Sequence, residues 1–217
     1  MTISNFKRLT VALCCGLWLS AGVQAANYQE GSDYEIRGEL TTVNPEIREF
    51  FSFYCGHCFK MQEAFDQVKE HFADRAEFVA NPVGLIGGAM GEESQRAFAA
   101  AKLMGIEDIF AKELFDAIHV REELPEDHNF YKALFAKLGV SEERLEKQWH
   151  SFVVNGLISE FDNFAKGAAI DAVPELLVNG KYLVKMENID TVDELIELIE
   201  YLLKKEPARG QVAQDAA

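Results

Sequence analysis

Hydrophobic and polar positions along this chain change period several times, and each change marks an element. From Ile47 to Tyr54 the sequence runs Ile-Arg-Glu-Phe-Phe-Ser-Phe-Tyr. Aromatic-rich and free of Gly and Pro, it predicts a strand buried on both faces. Beyond it, Phe59, Met61, Phe65, Val68 and Phe72 recur at mostly helical spacing, so a helix is expected to begin at Cys55. Ala76 to Val83 reads as a second strand, followed by a turn-rich stretch around Gly84, Gly87 and Gly88.

From about Ser94 to Lys166 the pattern is almost wholly helical. Gly105 and Gly139 stand where helix ends favour glycine, and Ser141 where a helix start favours a cap. Leu145, Trp149, Phe152, Val153, Leu157, Phe161 and Phe164 form an apolar stripe along the last part of this region. Leu176 to Val178 and Tyr182 to Val184 then flank Asn179-Gly180, which predicts a hairpin. A final helix is announced by Thr191 and Glu194 at capping-box spacing, with Val192, Leu195, Ile196, Ile199, Leu202 and Leu203 as its buried face. The expected architecture is α/β, a sheet interrupted by an all-helical insertion over residues 88–168, too long for a plain loop. Residues 206–217 read as a flexible tail.

The N-terminus departs from this scheme. Lys7 and Arg8 precede an apolar core from Leu9 to Leu19, and Val23-Gln24-Ala25 is a small-residue cleavage site, so residues 1–25 read as a secretory signal peptide and Ala26 as the first mature residue. The apolar run is roughly a dozen residues, short of the about 20 needed to span a bilayer. Cys14 and Cys15 follow Leu13 and each other rather than the small residue that precedes a lipid-modified cysteine. Cleavage removes two positive charges from a formal charge of −15, leaving −17. So acidic a chain gains nothing from counterion release on a phosphate backbone, which argues against nucleic acid as a partner. Its acids are scattered over helical segments, as at Glu142, Glu143 and Glu146, in the manner of a solvated surface. About 190 mature residues suit one domain.

Cleavage also removes Cys14 and Cys15, and only Cys55 and Cys58 remain. They form Cys55-Gly56-His57-Cys58, placed between a strand and a helix, which is the thioredoxin-like arrangement. A thiolate is the attacking species in disulfide exchange, and the open N–H groups and positive dipole end of a helix start favour Cys55 as that anion. Cys58, about one turn further on, can close a disulfide with Cys55 and is expected to be the buried partner. His57 between them can stabilise the thiolate and so make the disulfide easier to donate. A static brace is a poor alternative, because so small a loop removes little unfolded-chain entropy. Structural zinc needs four ligands, whereas His71, His119, His128 and His150 are isolated in sequence. Covalent haem needs His after the second cysteine, where this chain has Phe59. No metal or organic cofactor is expected.

In this setting the chain resembles the bacterial periplasmic thiol:disulfide oxidoreductases of the DsbA type. The residues that carry the resemblance are Glu49-Phe50-Phe51-Ser52-Phe53-Tyr54-Cys55-Gly56-His57-Cys58, Ser151-Phe152-Val153-Val154, Val173-Pro174 and Val178-Asn179-Gly180-Lys181-Tyr182. It covers nearly the whole mature chain. The resemblance implies a thioredoxin-like fold with an inserted helical subdomain, and an enzyme that donates the Cys55–Cys58 disulfide to newly exported proteins through a mixed disulfide at Cys55. It implies a cis bond before Pro174, with Val173 and Pro174 lining the substrate site, although an X-Pro bond taken alone favours trans. It gives Glu49, an acid on an apolar strand, the task of moving the proton of the buried thiol. It implies unfolded exported substrates with free thiols, reoxidation by a quinone-coupled, DsbB-like membrane protein, and a monomer in the periplasm.

Two departures from the family pattern bear on how oxidising the pair is. Gly-His stands between the cysteines where the most oxidising members carry Pro-His; glycine restrains the turn less, and Gly-His also occurs in protein disulfide isomerases. Gln62 stands where members can carry an acid. The alternative readings are a periplasmic reductase or isomerase and a chaperone-like peptide-binding module. The isomerases of that compartment usually dimerise through an extra domain, for which the short stretch before the first strand leaves no room.

Overall fold

In the computed structural model, residues 27–37 and 42–205 are described. The signal peptide read from residues 1–25 and the tail at 206–217 lie outside the described residues. Five strands form one mixed sheet: β1 (Tyr34–Ile36), β2 (Glu46–Phe51), β3 (Glu77–Pro82), β4 (Glu175–Val178) and β5 (Tyr182–Val184), in the spatial order β1-β5-β4-β2-β3. Strand β2 pairs parallel to β3 and antiparallel to β4, while β4–β5 and β5–β1 are antiparallel. Helix α1 (Gly56–Phe72) is the crossover between the parallel pair. Between β3 and β4 the chain runs through α2 (Ala89–Met104), α3 (Glu107–His119), α4 (His128–Lys137), α5 (Glu142–Trp149) and α6 (Phe152–Gly167). After β5 come a short 3-10 turn (Met186–Asn188) and α7 (Val192–Lys204).

Strand β2 lies inside the sheet, as its aromatic content suggested, and its alternation assigns each face a different cover. Ile47 shares one cluster with Phe65, Val68 and Phe72 of α1 and Leu195, Leu198 and Ile199 of α7. Phe50 lies on the other face with Ala168 and Ile170, and Phe164 of α6 packs there. Glu46 and Arg48 share that second face. Arg48 Nε donates to Glu46 Oε1 at 2.8 Å and Nη1 to Asn81 Oδ1 at 3.0 Å, with the guanidinium 3.5 Å above the Phe164 ring. Buried charge is tolerated there because every partner is in place.

Most local signals are realised where they were read, but the apolar stripe from Leu145 to Phe164 is broken: His150 and Ser151 separate α5 from α6, and the new helix start leaves Phe152 and Val153 exposed. Asn179 (φ 54°) and Gly180 (φ 67°) make the β4–β5 turn, closed by Lys181 N–H donating to Val178 O at 3.1 Å. Thr191 and Glu194 form a reciprocal capping box on α7. Gly105 (φ 69°) ends α2 in the left-handed region, and Ser141 caps α5. Two boundaries differ from expectation. Strand β2 stops at Phe51 rather than Tyr54, because Cys55 N–H donates to Ser52 O at 3.0 Å and turns the chain. Strand β1, only three residues long, gives too short an alternation to be legible in sequence.

Candidate active site

The turn at Ser52–Cys55 delivers the chain from the end of β2 to the start of α1. Ser52 Oγ accepts from Tyr54 N–H at 3.2 Å, which tightens the turn from within. Cys55 is the N-cap of α1, in extended conformation (φ −93°, ψ 108°), and its Sγ accepts from the Cys58 N–H at 3.1 Å. A helix start needs such an acceptor for its open N–H groups, and the Cys55 sulfur fills that role. Cys55 is partly exposed, whereas Cys58 has no exposed surface at all. Both are free thiols. Burial pushes the Cys58 thiol far up from its ordinary value; the contact with Cys55 and the charge of Glu49 act the same way, and the Ser52 backbone hydrogen bond opposes them. A buried thiol held protonated beside an accessible one is an unequal pair, suited to attack at one sulfur and departure from the other.

The second side of the site comes from a distant part of the sequence. The Val173–Pro174 bond is cis, and the Val173 carbonyl oxygen lies 3.6 Å from Cys55 Sγ. Strand β4 begins directly after Pro174 and pairs with β2, which explains the approach: register between these strands carries the turn at 173–174 to the level of the turn that precedes α1. Val173 and Pro174 are thus brought to Cys55.

Glu49 points to the α1 face of β2, between Ile47 and Phe51, opposite Ala80 on β3 and Leu176 on β4. It sits within an interior strand, at neither an edge nor a strand end. It lines a cleft of about 810 Å³ between α1, α3 and the sheet, together with Gln62, Asp66, Lys69 and Phe115. Burial, aided by the charge of Asp66 and opposed by that of Lys69, raises its carboxyl to about 8. The carboxyl therefore holds its proton at neutral pH and can give it up slightly above. His57 is exposed on the first turn of α1 and makes no hydrogen bond to another described residue. Gly56, also exposed, has nothing within 4 Å of where a Cβ would stand. The space around it does not demand glycine.

Sequence reasoning missed His119 as part of this neighbourhood. It is the last residue of α3, and its Nε2 lies 2.8 Å from the Phe53 carbonyl oxygen within the Ser52–Cys55 turn. Its ring stacks on Phe59 at 5.0 Å and 16°. Its isolation in sequence concealed this, since more than sixty positions separate it from Phe53. The aromatic cluster beneath, with Phe53 and Phe115 at 4.9 Å and Phe51 and Phe53 at 5.1 Å, joins the inserted helices to the turn. Among the described residues, no group of three or more His, Cys, Asp or Glu is arranged to hold a metal ion, and no helix is long and apolar enough to cross a membrane.

A dithiol at the N-terminus of a crossover helix, faced by a cis-proline turn, defines a thioredoxin-fold thiol:disulfide oxidoreductase. Residues 46–197 match the family model described as a DSBA-like thioredoxin domain, and the chain belongs to that family. It is 30% identical over 210 residues to the thiol:disulfide interchange protein DsbA of Pectobacterium carotovorum, covering 92% of this chain and 99% of that one. It is 29% identical over 208 residues to an Escherichia coli protein of the same name, with the same coverage. Among solved structures, a DsbA from Proteus mirabilis, a cysteine-to-serine variant with a non-covalently bound peptide, superposes with a TM-score of 0.76 at 28% identity, covering 83% of this chain and 100% of that one. The Klebsiella pneumoniae DsbA disulfide interchange protein shares the fold at a TM-score of 0.76 and 24% identity, with the same coverage.

Proposed function

We propose that this enzyme is a periplasmic protein disulfide oxidase, exported with removal of residues 1–25, that donates the Cys55–Cys58 disulfide to newly exported proteins. The observation that carries the reading is the inequality of the two sulfurs: Cys55 caps α1 and accepts from the Cys58 N–H at 3.1 Å, while Cys58 is fully buried. A backbone donor held on the free Cys55 sulfur favours the reduced enzyme, and a stable reduced form means a disulfide that is readily given away.

In the proposed reaction a substrate thiolate attacks Cys55 Sγ, the Cys55–Cys58 bond breaks, and its electron pair passes to Cys58 Sγ. The Cys58 thiolate takes a proton, for which the neutral Glu49 carboxyl is the nearby source. A second substrate thiolate then attacks the substrate sulfur of the mixed disulfide and expels Cys55 as a thiolate. The substrate is oxidised by two electrons and the enzyme is left as the dithiol. Val173 and Pro174 offer main chain beside Cys55, so an extended peptide of an unfolded substrate can pair there with little dependence on side chains. The peptide-bound Proteus mirabilis relative supports a substrate of this kind. His57, exposed between the cysteines, contributes favourable charge to the Cys55 thiolate when protonated. The cycle closes when a quinone-coupled membrane protein reoxidises the dithiol.

The test is the oxidation of a reduced, unfolded protein by stoichiometric disulfide-form enzyme, followed by thiol counting on both proteins. The expected result is two substrate thiols lost for each pair of enzyme thiols gained, with no transfer by Cys55→Ala. A peptide-binding module would bind equally well after that substitution. Oxidised enzyme that leaves a dithiol substrate unchanged, while reduced enzyme opens substrate disulfides, would instead make it a reductase.

A further inference from the structure

We infer that His119 is a positioning residue for the cysteine pair: its Nε2–H, donated to the Phe53 carbonyl from the end of α3, holds the Ser52–Cys55 turn in place when no disulfide does so. The proposal rests on the redox reading above and extends it to a residue of the inserted helices.

The geometry leaves one assignment of roles. A carbonyl oxygen can only accept, so at 2.8 Å Nε2 must carry the proton, whether the imidazole is neutral or charged. The ring has little freedom to leave, because it stacks on Phe59 at 5.0 Å and 16° and on Phe115 at 5.9 Å and 30°. Phe59 follows Cys58 directly, and Phe53 lies two positions before Cys55. One side chain from α3 therefore braces the redox pair from both flanks, by a hydrogen bond on one side and by ring contact on the other.

Such a brace acts unequally on the two redox states. In the oxidised enzyme the Cys55–Cys58 bond itself ties the turn to α1. In the reduced enzyme that covalent tie is gone, and Cys55 can accept from the Cys58 N–H only if the turn keeps its shape. An anchor independent of the disulfide thus stabilises the dithiol more than the disulfide and makes the pair a better oxidant. The brace matters more here because Gly56 brings no proline ring to stiffen the same turn.

The experiment compares His119→Phe, which keeps a ring on Phe59 and removes only the donor, with His119→Gln, which keeps a donor of similar reach. Each is equilibrated with glutathione buffers, and the fraction of Cys55–Cys58 disulfide is measured alongside a thermal melt of both redox forms. One hydrogen bond gives about a threefold to tenfold change in the equilibrium constant, so His119→Phe is expected to favour the disulfide by that factor and His119→Gln to stay within about twofold of wild type. Should His119→Phe fail to fold, His119→Asn, a polar side chain too short to reach the carbonyl, is expected to show the same shift. Equal equilibrium constants for wild type and the variants that cannot reach or donate to the Phe53 carbonyl overturn the proposal, as does an equal shift in the Gln variant. Either failure would leave the Cys55→Ala result, and so the redox reading, standing.

Discussion

The sulfur of Cys55 lies 3.6 Å from the carbonyl oxygen of Val173, although 118 positions separate the two residues in the chain. This juxtaposition places an edge of main chain, from the partly buried Val173 and the buried Pro174, beside the Cys55 sulfur, where the proposed reaction holds a substrate by its backbone. A bulky charge at position 173 or a displaced turn would remove that edge without touching either cysteine.

The two cysteines should differ sharply in reactivity. In Cys58→Ala, the partly exposed Cys55 is expected to react with a water-soluble alkylating reagent within minutes at neutral pH. In Cys55→Ala, the fully buried Cys58 should react slower by about a hundredfold or more, because both access and thiolate fraction are low. Mass spectrometry of timed aliquots reads both rates. Comparable rates would remove the basis for assigning attack to Cys55.

Glu49 carries a folded-state pKa of about 8, above the ordinary value of a carboxyl. The sign follows from which form the fold prefers. The neutral carboxyl is the one accommodated, so its contribution is fully present below the unfolded pKa near 4.5 and is lost as pH rises through about 8. Glu49→Gln, which keeps the shape and cannot ionise, should therefore be more stable than wild type at pH 9. The two should converge toward pH 5, with a difference of at most about 1.4 kcal/mol for each pH unit between the midpoints. Urea titrations across this range check it, and parallel stability curves would contradict it. If Glu49 supplies the Cys58 proton, the same variant should also flatten the pH dependence of disulfide exchange between pH 7 and about 9.

Gly56→Pro should be tolerated. Gly56 is the first residue of α1, a position where proline is favoured, its Cβ meets nothing within 4 Å, and Cys55 before it is already extended (φ −93°, ψ 108°). A gain of about 0.4–1 kcal/mol is expected from the stiffer unfolded chain, together with a shift of the glutathione equilibrium toward the dithiol. A thermal melt and the redox equilibrium on one preparation decide both points.

Arg48→Met should be costly for a reason unrelated to catalysis. It would leave Glu46 buried with its charge unmatched and take from Asn81 Oδ1 its 3.0 Å partner. A loss of about 3–5 kcal/mol is expected from breaking such a pair at one end, readable as a lower urea midpoint. The Cys55–Cys58 equilibrium constant should not move, since Arg48 lies on the sheet face opposite α1. A redox shift in this variant would show that the two faces are coupled.

What could be read from sequence was what is local. The Cys55–Cys58 spacing, the junction between β2 and α1, the Asn179-Gly180 turn and the Thr191–Glu194 box depend on neighbours a few positions apart, and their residue types carry the physics directly. Val173 and Pro174 were legible only through family resemblance, because nothing within their own segment says that β4 will pair with β2. Glu49 was visible as an anomaly, yet its interior position depends on which strand lies on each side. His119 and the Arg48–Asn81 contact were illegible, since the first depends on how the inserted helices pack on the Ser52–Cys55 turn and the second on the register of β2 with β3. The end of strand β2 was read three residues too far along because Ser52 and the Cys55 N–H close a turn that the aromatic pattern conceals.

If the Cys55–Cys58 disulfide is there to be given away, as proposed, the redox equilibrium of the mature protein in graded glutathione buffers will lie toward the dithiol. The expected reduction potential is about −180 mV or higher. A potential near the roughly −270 mV of thioredoxin would contradict it and make the same site a source of electrons.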